Sequence, residues 1–416
     1  MSIGPDVLIV GAGLSGVACG RHLADAGISF QIIEAADGIG GRVRTDQFEG
    51  FLLDRGFQVL LTAYPEAQRT LDYHALDLKK FAPGAFSFFA GRMNKLVDPW
   101  RTPGGWSEAL RSDFGTFFDK LRILRLRSRL RASSIDLIFK HPERSTNEAL
   151  VSAGFSDEFI HRFFRPFFGG IFLDRELKSS SRMFEFIFKM LAEGDIAVPS
   201  RGMGAIPAQL ASHLPEDSIR LNTHADSLHE NELTLSGDET LSARAIVVAA
   251  DGPSAAHLVG EAEPASRSVT CFYYSADEPP VSQPMLILNG DGAGPVNNFA
   301  VISQVAPSYA PAGKSLVSVS VLGTQALTEQ QLGGFIIAQM KNWFGPVART
   351  WRYLKSYRIP HAQPQQFPGA LEPPQRPVRV RPGIYLCGDH RDNASIHGAM
   401  LSGRRAAEAI LADLSR

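Results

Sequence analysis

Cysteine is scarce in this chain, and neither sign of charge is in excess. The 416 residues include three cysteines, and 42 basic against 43 acidic side chains leave a formal net charge of −1. Cys19, Cys271 and Cys387 lie far apart and form no C-x-x-C pair, so we expect neither a disulfide framework nor a metal site. The balanced charge argues against nucleic acid as a partner, because chains that bind it are usually clearly basic.

Long apolar runs are also missing. No stretch approaches the roughly 18–20 residues that a membrane-spanning helix requires. A buried strand is predicted from Val7, and the six residues before it leave no room for a signal or transit segment. We therefore expect a cytoplasmic protein whose contact with a membrane, if it has one, is peripheral at the membrane surface.

Tyrosine and tryptophan are few, at 8 and 4, whereas phenylalanine is abundant at 27. A phenyl ring carries no polar atom, so this excess predicts a dry core or a dry ligand cavity. Ten of the 34 residues from Phe155 to Phe188 are phenylalanine. Two interpretations stay open for this segment: walls of a channel for an apolar substrate, or the aromatic core of a helical subdomain.

Glycine is placed where a dinucleotide site needs it. Gly11, Gly13 and Gly16 form a G-x-G-x-x-G motif between a predicted strand and a predicted helix. The first permits a tight turn, the second lets a pyrophosphate approach the backbone, and the third packs the helix on the strand. Glu34 ends the next predicted strand, where a carboxylate hydrogen-bonds ribose hydroxyls and repels a 2′-phosphate. The motif therefore predicts a dinucleotide site that disfavours NADP.

The next loop distinguishes FAD from NAD. It contains Gly40, Gly41 and Arg42, and Gly56 follows in the segment FLLDRGFQ. A simple NAD dehydrogenase has no need of a Gly-Gly-Arg loop, whereas an FAD pyrophosphate gains backbone donors and a guanidinium from it. The loop favours FAD and leaves an NAD dehydrogenase as the last alternative.

Residues 7–58 resemble the FAD-binding head of the superfamily of flavin amine oxidases, protoporphyrinogen oxidases and phytoene-type desaturases. The segment IYLCGDHRDNASIHGAMLSG is similar to the closing motif of that superfamily. The resemblance implies that Asp389 bonds the ribityl chain and that a helix from near Ser395 points its N-terminus at the flavin, where its dipole stabilises an anionic reduced ring. A looser match around VPSRGMGAIPAQLA implies that His224–Asp226 lie beside the adenine.

The resemblance implies an α/β fold in which a Rossmann-like FAD-binding domain of the glutathione-reductase type is interleaved with an α+β substrate domain. The substrate domain is expected to carry a mixed sheet and a helical region at about 107–195. The expected bounds are 1–80, 196–255 and 375–416 for the FAD-binding domain, and 81–195 and 256–374 for the substrate domain.

The same resemblance implies which residues hold FAD, and no cysteine stands where a covalent flavin link would be expected. The expected cofactor-binding residues are Gly11, Ala12, Gly13, Leu14, Ser15, Gly16, Glu34, Ala35, Gly40, Gly41, Arg42, Gly56, Phe57, Gln58, Ala225, Gly388, Asp389, Ser395, Ile396 and Ala399.

Two departures from the amine oxidases bear on the chemistry. Those enzymes usually place a lysine beneath flavin N5, where this chain has Val269 or Thr270, and a cage tyrosine where it has Ser395. Both departures favour dehydrogenation or isomerisation of an apolar substrate. Either a quinone or oxygen is left open as the electron acceptor.

We therefore expect an FAD-dependent oxidoreductase that transfers a hydride from a C–H bond of an isoprenoid-like, carotenoid-like or tetrapyrrole-like substrate to flavin N5. The alternatives are a flavin amine oxidase that uses oxygen, and a non-catalytic protein that binds FAD or lipid. No catalytic residue is assigned. His361, His390 and His397 are open to two interpretations, an acid/base at the flavin or a structural histidine.

One basic stretch interrupts the balanced charge. Lys120–Arg131 has six basic residues, no acidic one, and interleaved leucine and isoleucine. It predicts either a solvated helix face or a helix that rests on an anionic membrane surface.

Overall fold

The computed structural model describes residues 4–111 and 114–415, and these contain 21 strands and 14 α-helices. The strands are β1 (Val7–Val10), β2 (Phe30–Ile33), β3 (Thr45–Phe48), β4 (Phe51–Asp54), β5 (Leu60–Leu61), β6 (Leu78–Lys80), β7 (Gly84–Phe89), β8 (Arg92–Val97), β9 (Ile196–Pro199), β10 (Ile219–Arg220), β11 (Ala225–His229), β12 (Glu232–Leu235), β13 (Thr240–Ser242), β14 (Ala245–Val248), β15 (Ser266–Ala276), β16 (Leu286–Asn289), β17 (Val296–Val301), β18 (Ser315–Leu322), β19 (Arg352–Pro364), β20 (Arg379–Arg381) and β21 (Ile384–Leu386).

The helices are α1 (Leu14–Asp25), α2 (Pro65–Thr70), α3 (Gly105–Arg111), α4 (Phe117–Ala132), α5 (Ile135–Ile138), α6 (Thr146–Ser152), α7 (Asp157–Phe159), α8 (Arg165–Phe172), α9 (Ser181–Glu193), α10 (Ala205–Ala211), α11 (Gly252–Val259), α12 (Ile302–Val305), α13 (Glu329–Phe344) and α14 (Ile396–Leu414). Local sequence explains several of their starts. A capping box of Thr116 and Asp119 begins α4, and Thr328 with Gln331 begins α13 in the same way. Across the described residues no helix is both long enough and apolar enough to span a bilayer.

A six-stranded sheet in the order β10-β2-β1-β14-β21-β20 forms the first layer. Its strands run parallel except the edge strand β20. Every residue of β1 and β14 is buried, as expected for parallel strands that are covered on both faces. Helix α14 packs against α1 so closely that a Cβ on Gly403 would lie 2.1 Å from Ser15 O. This arrangement confirms the predicted Rossmann-like α/β fold.

A mixed seven-stranded sheet in the order β19-β15-β18-β17-β16-β7-β8 forms the second layer. Only the β7–β16 pair is parallel among its described strand pairs. One face is covered by α13, whose Leu332, Ile336 and Met340 join the buried cluster of that face. Val269 on β15 and Ser320 on β18 belong to the other face and line a cavity between the two sheets.

The two sheets alternate along the chain. Strands of the six-stranded sheet come from residues 7–33, 219–248 and 379–386, and those of the seven-stranded sheet from 84–97 and 266–364. We propose that each sheet organises one of the two interleaved domains whose bounds the sequence predicts.

The described residues from 105 to 193 form a helical region, α3 to α9, near the predicted range. Its phenylalanines pack on one another: the Phe164 ring lies 4.9 Å from Phe155, 5.3 Å from Phe159 and 5.9 Å from Phe184, between centroids. Of the ten phenylalanines from 155 to 188, Phe167 alone lines the cavity. Most of the cluster is therefore an aromatic core, and its contribution to the cavity wall is small.

Candidate active site

A cavity of about 540 Å³ lies where the six-stranded sheet meets the seven-stranded sheet. Val10 and Ile33, which end β1 and β2, and Ala249, directly after β14, form part of its wall. Ligands of open parallel sheets bind beyond the carboxyl ends of the strands, where the strand order reverses. The cavity therefore occupies the position at which this kind of sheet holds a dinucleotide.

The three glycines of the G-x-G-x-x-G motif meet three different steric constraints. Gly11 has φ +107°, and a Cβ there would lie 2.9 Å from Ala249 O. Gly16 leaves no room for a Cβ, which would lie 1.9 Å from Gly11 O. Gly13 differs, because no described atom lies within 4 Å of its Cβ position. Its open side borders the cavity and allows a ligand to reach the backbone.

The start of α1 provides donors for an anion. Gly13, Leu14 and Ser15 line the cavity, and the first-turn amides of a helix have no intrahelical acceptor. Gly40 N donates to Ala12 O at 2.8 Å, and a Cβ on Gly41 would lie 3.3 Å from Gly13 Cα. The Gly-Gly-Arg loop and the helix start thus form one cradle of bare backbone, where the helix dipole favours a pyrophosphate.

Glu34 is held in place at one end of the cavity. Its Oε2 accepts from Ala12 N at 2.7 Å, and its Oε1 accepts from Ala36 N at 2.8 Å. Each carboxylate oxygen keeps a second lone pair for a hydroxyl of a ligand. Of the predicted adenine neighbours, His224 and Ala225 line the same cavity as the predicted ribose partner, whereas Asp226 does not.

Arg42, Asp389 and Gln58 form a connected polar group in the cavity wall. Arg42 Nη2 donates to Asp389 Oδ1 at 2.8 Å, and Arg42 Nη1 donates to Ala362 O at 2.9 Å. Gln58 Nε2 donates to Arg42 O at 2.7 Å. Gln58 Oε1 is buried and accepts no hydrogen bond from any described residue. Buried acceptors are normally satisfied, so this atom fits a donor on a bound cofactor.

The start of α14 forms the other end of the cradle. Ser395 Oγ accepts from Gly398 N at 3.0 Å and caps the helix, while Ser395, Ile396 and Ala399 line the cavity. Gly388, in the preceding turn, has φ +151°, and its N donates to Ser402 Oγ at 3.0 Å.

Eighteen of the twenty residues predicted to bind FAD line this one cavity. The other two, Ala12 and Gly16, lie behind it, where Ala12 orients Glu34 and Gly16 packs the helix against the turn. The donor set fits a dinucleotide: amides and a guanidinium for the pyrophosphate, a carboxylate for ribose, and a helix N-terminus for the flavin ring.

The remaining wall is largely apolar. Helices α8 and α9 and the residues that directly follow β6 and α8 contribute to it. Its apolar residues include Phe81, Phe167, Ile171, Leu173, Ile187 and Leu191. The neutral polar side chains of Asn298 and Ser320 also line this part of the cavity. Asn298 Nδ2 donates to Ser320 Oγ at 3.3 Å. This part of the cavity suits an apolar molecule that carries a neutral polar group.

Residues 14–411 match the sequence profile of the flavin-containing amine oxidoreductases. The chain belongs to this family. Membership identifies it as an FAD-dependent oxidoreductase and confirms the enzyme class, the cofactor and the family resemblance predicted from the sequence.

Individual proteins match this chain to different extents. Over 56 residues the chain is 43% identical to polyamine oxidase 1 from Zea mays, which covers 13% of this chain and 11% of that protein. Over 182 residues it is 26% identical to coproporphyrinogen III oxidase from Propionibacterium freudenreichii, covering 41% of this chain and 33% of that protein. The chain thus matches a third or less of these relatives' length. Cyclohexylamine oxidase from Brevibacterium oxydans has the same fold over 100% of both chains, with a TM-score of 0.72 at 19% identity.

Val269 and Thr270, the two positions expected to replace the amine oxidase lysine, lie on opposite faces of β15. Val269 lines the cavity, whereas Thr270 is buried on the opposite face of β15 because strand side chains alternate. Within residues 4–111 and 114–415, no lysine lines the cavity.

A tyrosine that the sequence did not single out does line the cavity. Tyr64 occupies the N-cap position of α2, where its side chain makes no capping hydrogen bond, and it is 5% exposed. Its ring stacks on those of Phe186 and His397, at 6.0 and 5.9 Å. No motif surrounds Tyr64, so local sequence offered no signal for it.

The three histidines considered as acid/base groups do not line the main cavity. His397 Nδ1 accepts from Glu66 N at 3.3 Å, and burial lowers the pKa of His397 to about 4. Burial likewise lowers the pKa of His390 to about 4. His361 borders a small adjoining crevice that shares Arg42 and Asp389 with the main cavity. The structure favours the structural interpretation for His390 and His397, which are neutral at physiological pH.

Proposed function

We propose that this oxidoreductase removes a hydride from a C–H bond of a hydrophobic substrate, either isoprenoid-like or tetrapyrrole-like, while holding FAD without a covalent bond. Bound FAD would supply the hydride acceptor at N5. The chain would supply the cradle for FAD, an apolar pocket that positions the substrate, and exclusion of water from the reacting carbon.

The observation that carries the proposal is the apolar wall opposite the FAD cradle. Phe167 and Ile171 of α8, and Ile187 and Leu191 of α9, contribute hydrocarbon surface to the same cavity. Burying such side chains against an apolar ligand contributes about 25 cal/mol per Å² of area removed from water. Binding energy of this kind is available to a hydrophobic substrate and not to a small, hydrated amine.

The carboxylates of the cavity support the same choice. Glu34 is held by two backbone amides, and Asp389 is paired with Arg42. Asp251 caps α11, where Oδ1 accepts from Ser254 N at 3.2 Å. Glu34, Asp251 and Asp389 are the acidic residues of the described cavity wall. Asp389 is ion-paired and Glu34 is the predicted partner of the FAD ribose, so we expect neither to receive a substrate cation.

The extent of the sequence matches favours a tetrapyrrole-like substrate over a polyamine. The match to coproporphyrinogen III oxidase extends over 182 residues, whereas the match to polyamine oxidase 1 extends over 56. The absence of a cavity lysine in the described chain agrees with this preference. We propose non-covalent FAD because Cys19, Cys271 and Cys387 are buried and lie outside the cavity wall.

An anaerobic substrate screen tests the proposal. The flavin-loaded protein would be mixed with a porphyrinogen, a carotenoid precursor in detergent, or a polyamine, while loss of the oxidised flavin absorbance is followed. We expect bleaching by the porphyrinogen or the carotenoid precursor and none by the polyamine. Re-oxidation by oxygen and by a quinone would then be compared to identify the acceptor.

Other results of the screen would overturn the proposal. Bleaching by the polyamine, with peroxide formed when air is admitted, would establish the amine oxidase alternative. A flavin reduced by dithionite but by none of the three substrate classes would favour a non-catalytic FAD- or lipid-binding protein. Release of the flavin by acid without proteolysis would support non-covalent binding.

A further inference from the structure

Helix α4 presents an outer face whose centre is apolar. Phe117, Leu121 and Leu124 follow one another at positions i, i+4 and i+7, which places them on one side of the helix. They are 60%, 44% and 37% exposed, and the adjacent Phe118 is 64% exposed. Four large apolar side chains grouped in this way mark a contact site rather than scattered surface residues.

Basic side chains flank this apolar stripe on both sides. At 100° per residue, Lys120 and Arg131 fall on one side of the stripe, and Arg122, Arg125 and Arg129 on the other. Arg129 pairs with Glu185, and Arg122 with the acid of its own first turn. Within the described part of the chain, Arg125 and Arg131 have no ion-pair partner.

The single acid of α4 faces away from this surface. Asp119 is 0% exposed, and its carboxylate accepts hydrogen bonds from Thr116 and Ser156 in the interior. An anion that approaches the outer face of α4 therefore meets arginine side chains without an opposing carboxylate from the helix. Charge and apolarity together fit an anionic bilayer surface.

We propose that α4 docks this protein on anionic phospholipid, with the phenylalanine and leucine side chains in the headgroup region and the arginines at the phosphates. The interfacial face consists of Phe117, Phe118, Leu121, Leu124, Arg125 and Arg131. Two copies of the chain would oppose like charges if these faces met, which disfavours a second copy as the occupant. A nucleic acid would gain nothing from an apolar stripe at the centre of the contact.

The interfacial face lies one helix away from the candidate substrate cavity. Lys189 Nζ of α9 donates to Leu130 O and Arg131 O of α4, at 3.3 and 3.2 Å. Ile187 and Leu191, also on α9, line the apolar part of the cavity. Docking through α4 would therefore bring the cavity close to a bilayer, which is where an apolar substrate dissolves.

Vesicle flotation of the full chain tests this proposal. Vesicles of phosphatidylcholine alone would be compared with vesicles that contain phosphatidylglycerol. We expect binding to the anionic vesicles that weakens with added salt. The variant R125Q/R131Q should bind about thirtyfold more weakly, since each cation near the surface contributes about 1 kcal/mol. The variant F117S/F118S should bind roughly tenfold or more weakly, because it removes inserted apolar area.

The matched control is F335S/R349Q, which changes an exposed phenylalanine and an exposed arginine elsewhere. Phe335 is 55% exposed on α13. We expect this control to bind vesicles like the unchanged chain, and all variants to keep its melting temperature. Equal loss in the control, or full binding by both α4 variants, would overturn the proposal. So would a dimer that F117S/F118S splits and that no vesicle binds, because the face would then join two copies.

Discussion

Arg42 and Asp389 are joined by a hydrogen bond of 2.8 Å across 347 positions of the sequence. Arg42 follows the second strand of the six-stranded sheet, and Asp389 follows its last parallel strand. Both side chains line the cavity, and Asp389 is 6% exposed. The FAD cradle therefore exists only when the two ends of the chain are folded together.

Removing the guanidinium of Arg42 should weaken FAD binding. We expect Arg42→Ala to raise the Kd for FAD about tenfold to a hundredfold, because a hydrogen bond to a charged group contributes about 1.5–3 kcal/mol. Flavin fluorescence titration of the apoprotein would measure it. Arg44→Ala is the matched control, since Arg44 pairs with the exposed Asp37. Equal weakening in both variants would contradict an FAD-directed role for Arg42.

Two glycines three positions apart should respond differently to alanine. Gly13→Ala meets no described atom within 4 Å, so the apoprotein should keep its melting temperature while FAD affinity falls roughly tenfold or more, since the methyl enters the pyrophosphate position. Gly16→Ala would place its Cβ 1.9 Å from Gly11 O. It should lower the free energy of unfolding of the apoprotein by about 1–3 kcal/mol. Calorimetry with and without FAD separates the two effects, and identical losses of apoprotein stability would contradict this assignment.

Buried Asp54 should make stability fall as pH rises. Burial raises the pKa of Asp54 to about 6, although its carboxylate accepts from Thr45, Met203 and Tyr309. Because this pKa lies above the unfolded value, the folded chain binds more protons between about pH 4 and 6. Asp54→Asn keeps the shape and removes the charge. We expect the unfolding free energy of the variant minus that of the unchanged chain to rise by about 3 kcal/mol from pH 4 to pH 8. Urea denaturation at each pH would measure both values.

Asp46 serves as a control because its pKa is shifted in the opposite direction from that of Asp54. Burial alone would raise its pKa, but hydrogen bonds from Arg55, Tyr357 and Lys355 outweigh burial and lower it to about 2. Its stabilisation is present above the unfolded pKa and is lost as pH falls toward 2. Asp46→Asn should therefore lose stability at neutral pH. A pH-independent difference between Asp54→Asn and the unchanged chain would show that Asp54 does not titrate as described.

A polar substitution in the apolar wall should affect substrate binding more than turnover. We expect Ile171→Asn to raise KM for a hydrophobic substrate about tenfold with kcat nearly unchanged, because the lost contact contributes equally to ground and transition states. Val151→Asn is the control, since Val151 is 52% exposed and lies outside the cavity wall. Unchanged KM in Ile171→Asn would show that the substrate does not contact α8.

The cofactor cradle could be predicted from the sequence because its requirements are local. Gly11 has a positive φ, and Gly16 contacts the turn at Gly11, so both glycines have a local reason, although the distant Ala249 also excludes a Cβ at Gly11. Glu34 follows at a spacing set by one strand, one helix and one strand. Even Asp389, far along the chain, stands in a short motif of its own. Because such constraints involve residues that are close in sequence, they can be recognised without the tertiary structure.

The substrate side was decided by tertiary structure. The sequence left Val269 and Thr270 as alternatives, and the register of β15 against β18 and β19 selects Val269 for the cavity. Tyr64 reaches the cavity because α2 packs on α14, and Asn298 meets Ser320 because two strands pair. Contacts between distant segments determine which side chains face the cavity, and those contacts cannot be predicted from local sequence.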